Sequence, residues 1–412
     1  MTTTLDIARV RELFDLRGSF LVQTGGGYTG DPYPAWHRLR EQAPVHRGTV
    51  HELTGITEPL VFHGLPYPDR PHFSAFGYEV CSSAYRDPAT FASAPGAVDA
   101  AGAIGTDSSM LAMGGAQHRR YRGLVQPSFV PAKAQWWIRN WIEETVHALI
   151  GEFAGRGRAE LNVDFCAAIP VLTITGSFGV PVARALDIRA ALRHTGAVVE
   201  ILAPIVAARR AQPADDLISV LVQAEYTDDD GVTHRLSDTE IYSFSILLLT
   251  AGSGTTWKQM GITLTTLLQR PEVLRAVRDD RRLLRPAVEE ALRWAPTDPM
   301  FSRFVIADTE FHGTHLPAGS VLHLCIGAAN RDPDRWDHPD DYDITRPLKP
   351  SLAFGSGPHT CLGMHVARAE MLTGIGALLD RLPELRLDPD AEAPRLIGMY
   401  ERGATAIPVR FG

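Results

Sequence analysis

The sequence predicts a mainly α-helical fold with a smaller β portion, on three observations. Apolar residues recur at spacings of three and four over 34–44, 136–154 and 262–270, the period of an amphipathic helix. Residues 47–75 and 303–324 turn instead to His, Gly, Pro and β-branched residues, and the second stretch (RFVIADTEFHGTHLPAGSVLHL) reads as strand, turn, strand. Helical segments outnumber strands. At 412 residues the length alone suggests two or three domains, yet no internal repeat or low-complexity linker divides the chain.

From the start of the chain, MTTTLDIARVRELFDLRGSF mixes charge with apolar positions at helical spacing, so neither a secretory leader nor a membrane anchor is expected there. Nowhere do about 18 apolar residues follow one another. The protein is therefore expected to be cytoplasmic, with no membrane partner. Residues 93–117, rich in Gly, Ala and Ser, form the longest irregular stretch, and a loop of that length is expected to be functional or disordered. Over 237–261 (SDTEIYSFSILLLTAGSGTTWKQMG) Ser237 and Glu240 have the spacing of a capping box, and the apolar run behind them suits a helix crossing the interior. Gly252 and Gly254 interrupt it, each at a cost of roughly 1 kcal/mol relative to alanine. They read as close helix packing, as a break between two helices, or as a place where something bulky lies against the backbone. Further on, a strand-like SLAF at 351–354 leads through Gly355, Gly357 and Cys361 into a helix that begins near Met364.

Composition narrows the function. The chain is 45% hydrophobic and 21% charged, with 40 basic and 48 acidic side chains and a net charge of -8. That balance is ordinary for a globular protein and argues against a nucleic-acid partner, which needs clustered positive charge. Cys81, Cys166, Cys325 and Cys361 are scattered, with no CxxC pair and no zinc spacing, so no disulfide scaffold is expected. Either all four are core thiols or one has a chemical role.

Cys361 stands apart. A cysteine at a helix start is favoured as thiolate by backbone N–H groups and the helix dipole. With no second protein ligand at zinc spacing, a thiolate on iron already held by a porphyrin suits it better than an all-protein cage; a small buried hydrophobe is the plainer reading. The run FGSGPHTCLG resembles the heme-binding loop of the cytochrome P450 superfamily, Phe-Gly-x-Gly-x-x-x-Cys-x-Gly, with Phe354, Gly355, Gly357, Cys361 and Gly363 at the fixed positions. Glu290 and Arg293 match the family's Glu-x-x-Arg motif, and Arg346 falls where the family places a third member of that ion network. AGSGTT at 251–256 resembles the oxygen-binding kink of its long helix, and AANRDP at 328–333 the run before its heme loop.

The resemblance covers nearly the whole chain. It implies a P450 fold, a prism-shaped single domain over 1–412 enclosing heme b (iron protoporphyrin IX), with Cys361 as axial ligand. It implies propionate contacts from His118, Arg122, Arg303 and His359, and further heme contacts from Phe354, Gly363 and Ala251. Thr255 aligns with the family's alcohol beside bound dioxygen. The preceding position usually carries Asp or Glu, yet here it is Gly254, so protons must travel by water, Ser253, Thr256 or the substrate. The implied activity is a monooxygenase oxidising a mainly apolar small molecule or natural product, in secondary metabolism or catabolism. The alternatives are peroxide-driven oxidation or oxidative coupling with an atypical relay and, from another class, a heme sensor.

By the same resemblance, substrate would meet loop 93–113, Ile246, Leu247 and Ala251, the segment Pro299-Met300-Phe301, and the turn holding Ile397, Met399 and Tyr400. Residues 87–117 contain no Lys, Arg or His, which disfavours a carboxylate-anchored acid. Between Val180-Pro181 and IVAARR at 205–210 the chain has fewer residues than the family's two lid helices and their loop generally use. That implies either a trimmed lid or only a short loop. Forty-nine residues follow Gly363, enough for one helix and terminal strands, so electrons are expected from a separate ferredoxin and its reductase, docking near Arg119, Lys133 and Arg368.

Overall fold

The computed structural model describes residues 6–14, 28–56, 67, 69–94, 109–192, 194–228 and 230–412. About 54% of the chain is helical, with a smaller sheet portion. Two compact units emerge, one drawn from 1–14, 96–257 and 362–382, the other from 15–95, 258–361 and 383–412. Among the described residues no single helix is long and apolar enough to cross a membrane.

The first unit is helical. The expected helix over 136–154 is a helical run from Ala134 to Phe153, but Ile138–Ile142 form a π turn within it. The wider turn brings Trp136 and Trp141, five residues apart, edge to face at 4.5 Å. Gly176, on the helix Ala168–Ser177, accommodates the same tryptophan: a Cβ there would lie 2.7 Å from Trp141 Cδ1. The lid region holds two helices, Val182–Ala191 and Thr195–Ala211.

The longest helix, Asp238–Leu268, runs unbroken through the glycines and absorbs the separate helix expected at 262–270, which excludes the reading as a break. It opens with the expected capping box: Glu240 N–H donates to Ser237 Oγ at 3.2 Å, and Ser237 N–H to Glu240 Oε2 at 2.8 Å. Tyr121, from the helix Gly115–Val125, donates to Glu240 Oε1 at 2.5 Å.

The second unit is built on a five-stranded sheet in the order Val45–Arg47, His72–Ala75, Val321–Cys325, Met300–Val305, Phe91–Ala92. Only the pairing of 321–324 with 72–75 is parallel; the others are antiparallel. Every residue of the central strand Val321–Cys325 is buried, in keeping with its mostly apolar text. The strand-turn-strand reading of 303–324 matches Met300–Val305 and Val321–Cys325, with a small hairpin, Thr309–Phe311 and Thr314–Leu316, between them. Tyr33–Gln42 forms the helix expected at 34–44. In the stretch 47–75, residues 57–66 and 68 lie outside the described residues; a short helix, Val50–Leu53, capped by Thr49 and Glu52, precedes them.

SLAF is not a strand. Leu352 gives its N–H to the side chain of Asn330, and Gly355 N–H returns to Leu352 O at 2.8 Å, so the backbone turns.

Candidate functional site

In the second unit the loop Phe354–Cys361 folds back on itself, Cys361 N–H donating to Phe354 O at 2.8 Å. Gly357 has φ +73°, and a Cβ on it would lie 2.2 Å from Tyr85 O, so only glycine lets the loop pass the helix Tyr78–Arg86. Gly357–His359 make one 3₁₀ turn, which Thr360 closes by donating from N and Oγ1 to Gly357 O at 3.1 and 2.8 Å. Cys361 is exposed, whereas Cys81, Cys166 and Cys325 are completely buried and burial holds their thiols protonated. Cys361 stands two residues ahead of Gly363, the N-cap of the helix Met364–Arg381, rather than in its first turn.

The expected ion network is present. Arg293 grips Glu290 through two parallel hydrogen bonds of 2.8 and 2.7 Å, and Arg346 Nε meets Glu290 Oε1 at 3.3 Å. Glu290 also accepts Asp343 N–H at 3.0 Å, while Arg293 donates to Asn330 O, Pro339 O and Asp341 O at 3.0, 2.7 and 3.0 Å. Both side chains are buried, so each bond compensates charge removed from water. Asn330 links the network onward to the turn at Leu352 that leads into the cysteine loop.

Arg303 lies on the strand Met300–Val305, opposite Leu322. It is buried, donates to Ser302 O at 2.8 Å and lies 4.7 Å over the Tyr85 ring, and no ion pair joins it among the described residues. Burial lowers its pKa. A buried guanidinium lacking an acid partner is suited to an anionic group. The Tyr85 hydroxyl beside it is buried without a hydrogen-bond partner, a residue that sequence reasoning missed because helix Tyr78–Arg86 reaches the cysteine loop only through tertiary packing.

Met300 and Met399, expected to face substrate, are core residues, each 1% exposed and packed with Tyr33, Trp36, Phe76 and Tyr400. Pro299 is also buried, and Phe301 keeps partial exposure. Their apolar character matched two roles, and burial assigns the methionines to the core.

In the first unit, the long helix is buried through Ser243–Leu249 and again from Thr256, but Thr250 and Ala251 are exposed and Gly252, Gly254 and Thr255 partly so. Ile246 and Leu247 are buried just before this opening. The two glycines differ. A Cβ on Gly252 would come 3.0 Å from Ile174, while one on Gly254 would meet nothing within 4 Å. Thr255 Oγ1 donates back to Ala251 O at 3.3 Å; Ser253 is buried, its hydroxyl 3.5 Å from Arg189. His118 and Arg122 share one face of the helix Gly115–Val125. Burial, then Arg122 and Arg119, lowers the His118 pKa to about 4, so its ring is neutral near pH 7. Of the loop 93–113, residues 95–108 lie outside the described residues.

Among the described residues no group of three or more His, Cys, Asp or Glu side chains could hold a metal by itself, so a metal at Cys361 has to bring its other ligands. Within the second unit, an accessible thiol and a buried cation without an acid partner among the described residues suit a heme.

The comparisons agree. The family model Cytochrome P450 matches residues 189–397. Cytochrome P450 107B1 of Saccharopolyspora erythraea is 34% identical over 310 residues, covering 72% of this chain and 75% of its own length. Mycinamicin IV hydroxylase/epoxidase of Micromonospora griseorubida is 33% identical over 322 residues, 73% of this chain and 79% of its own. The crystal structure of P450BioI in complex with a hexadec-9Z-enoic acid ligated acyl carrier protein matches with a TM-score of 0.75 at 28% identity, over 93% of this chain and 99% of that one. This chain belongs to the cytochrome P450 family of heme-dependent oxidoreductases.

Proposed function

We propose that residues 1–412 form one heme domain, a heme-thiolate monooxygenase that oxidises a mainly apolar small molecule or natural product. Cys361 is its axial ligand. The observation that carries this reading is the contrast among the cysteines, one accessible at the end of a self-closed loop and three buried. His118, Arg122, Arg303 and His359 take the propionates of heme b, Phe354, Gly363 and Ala251 line the ring, and Glu290, Arg293 and Arg346 hold the segments that support the cysteine loop.

When bound, the heme supplies activation of dioxygen and transfer of oxygen to substrate. The chain does the rest. Thr255 offers a hydroxyl at the open stretch of the long helix, Ser253 and Thr256 add hydroxyls on either side, and Ile246, Leu247 and Phe301 supply apolar surface for substrate. The relative named as a mycinamicin IV hydroxylase/epoxidase supports a role in natural-product tailoring. P450 monooxygenases require redox partners. Here we assign a ferredoxin and its reductase, with Arg119, Lys133 and Arg368 as the cationic docking residues.

A second reading, peroxide-driven oxidation or oxidative coupling, has one observation in its favour. Gly254 stands where the family usually carries an acid, and the space beside it is open, so packing does not forbid a longer side chain. Reduced protein treated with CO is expected to show the strongly red-shifted Soret band of thiolate-ligated heme, and Cys361→Ser to lose it. An unshifted band in the unmodified protein overturns the reading. Turnover with ferredoxin compared with peroxide alone separates the two readings.

A further inference from the structure

The helix Ile7–Leu13 has no part in the site above, yet it ends beside the long helix. Seven residues are too few to hold a helix in water by themselves, so this one exists through what it packs on. It lies against the helix Val182–Ala191 and the turn Asn162–Cys166, all within the first unit. Val10 and the C-cap Phe14 are its buried side, at 0% and 3% exposure, while Ala8, Arg11 and Glu12 are exposed.

Its contacts run two ways. Toward the helix Val182–Ala191, Arg9 Nη2 meets Asp187 Oδ1 at 2.7 Å, and the Arg189 guanidinium lies 4.7 Å over the Phe14 ring. Toward the rest of the unit, Arg11 pairs with the buried Asp164 at 3.3 Å, and Phe14 stands edge to face with Trp257 of the long helix at 5.7 Å. Arg189 in turn reaches Ser253 Oγ at 3.5 Å, which places Val182–Ala191 alongside the open stretch of the long helix. Ile7–Leu13 thus bridges that helix to Trp257, just beyond Thr255.

We propose that Ile7–Leu13 is a strap that positions the helix Val182–Ala191 beside the open stretch, and that its release frees that helix to move and admits bulky ligands. Arg9 with Asp187 and Phe14 with Arg189 are its clasp. The side chains of Arg9 and Asp187 are 38% and 29% exposed, and an ion pair that wet contributes little. Asp187 also binds Arg184 of its own helix at 2.5 Å, so its charge stays paired when Arg9 leaves. An element held this loosely opens at low cost, as segments that move generally do. A helix that only covered apolar surface would need Val10 and Phe14 and would not need Arg9 at Asp187.

The test uses the holoprotein with Arg9→Ala and Arg9→Lys. Asp6 caps the helix through the Arg9 backbone N–H, so neither substitution removes the cap. The probes are imidazole and 1-dodecylimidazole, which offer heme iron the same nitrogen and differ in bulk. In Arg9→Ala the bulky probe should associate about two- to fivefold faster, the range of a partly exposed ion pair, and imidazole at the wild-type rate. Backbone amides of Val182–Ala191 should exchange with solvent faster by a similar factor, and those of the helix Pro271–Asp279 at the wild-type rate. Arg9→Lys keeps the charge and should restore both rates. Salt at about 1 M screens the pair, so it should speed the wild type and leave Arg9→Ala unaffected. Unchanged exchange over Val182–Ala191 in Arg9→Ala overturns the proposal. So does equal acceleration of imidazole or of exchange in Pro271–Asp279, which would mark a general loss of stability. The ligand readout rests on the heme-thiolate reading and the exchange readout does not. A protein without the red-shifted CO band overturns that reading, and amide exchange still decides the strap.

Discussion

The side-chain oxygen of Asn330 accepts the backbone N–H of Leu352 at 2.7 Å, and the same residue's carbonyl accepts from Arg293 at 3.0 Å. One asparagine thus joins the buried Glu290–Arg293 pair to the turn that precedes the cysteine loop. Asn330→Ala leaves the Leu352 N–H without its partner in a buried setting, at a cost of about 1–3 kcal/mol. The expected result is a folded protein that retains heme poorly, read as faster heme loss to an apoprotein acceptor. An unchanged rate would separate the network from the loop.

Removing one partner of the buried pair should do more. Glu290→Ala leaves the Arg293 and Arg346 guanidiniums without their carboxylate, and loss of one member of a buried pair typically costs about 3–5 kcal/mol. Denaturant midpoints should fall accordingly, and heme incorporation should fail. Normal incorporation would mean that this network is dispensable for the site.

The glycines of the long helix should respond in opposite ways. Gly254→Ala meets open space and gains helix propensity, so a rise of about 0.5–1 kcal/mol is expected. Gly252→Ala drives a methyl to 3.0 Å from Ile174 and should forfeit that gain. Equal stabilisation of the two variants would show that Ile174 yields freely.

If the missing acid limits proton delivery, Gly254→Asp should raise the fraction of reductant that ends in product, while Thr255→Ala should lower it. Both are measured as product formed per reductant consumed. Unchanged coupling in Thr255→Ala would remove that hydroxyl from the relay.

Glu370, buried on the helix Met364–Arg381, has its pKa raised by burial from 4.5 to about 8. The folded state therefore holds a proton that the unfolded chain has already lost. Stability should fall as pH rises from about 4.5 to 8, by on the order of 3–5 kcal/mol, and then level off. Denaturant titrations from pH 5 to 9 should show this slope, and Glu370→Gln should flatten it. A slope that persists in the variant belongs to other groups.

Features carried by neighbours in the chain were legible without a structure. The cysteine motif, the Ser237–Glu240 capping box and the Glu290–Arg293 pair each lie within a few residues, where spacing alone sets who can meet whom. The strands flanking residues 305–320 were legible for the same reason, since their period and turn residues are local. Other features depend on pairings across long separations. SLAF has the text of a strand, but Asn330, 22 residues away, takes its N–H. Met300 and Met399 read as pocket residues until their packing with Trp36 placed them in a core. Gly252 and Gly254 look alike in the chain, yet only the first has Ile174 against it. The Lys258–Glu401 pair joins residues 143 positions apart, and nothing around either one announces the other. Local periodicity encodes an element and its ends, whereas burial and ion pairing depend on which distant surfaces exclude water together.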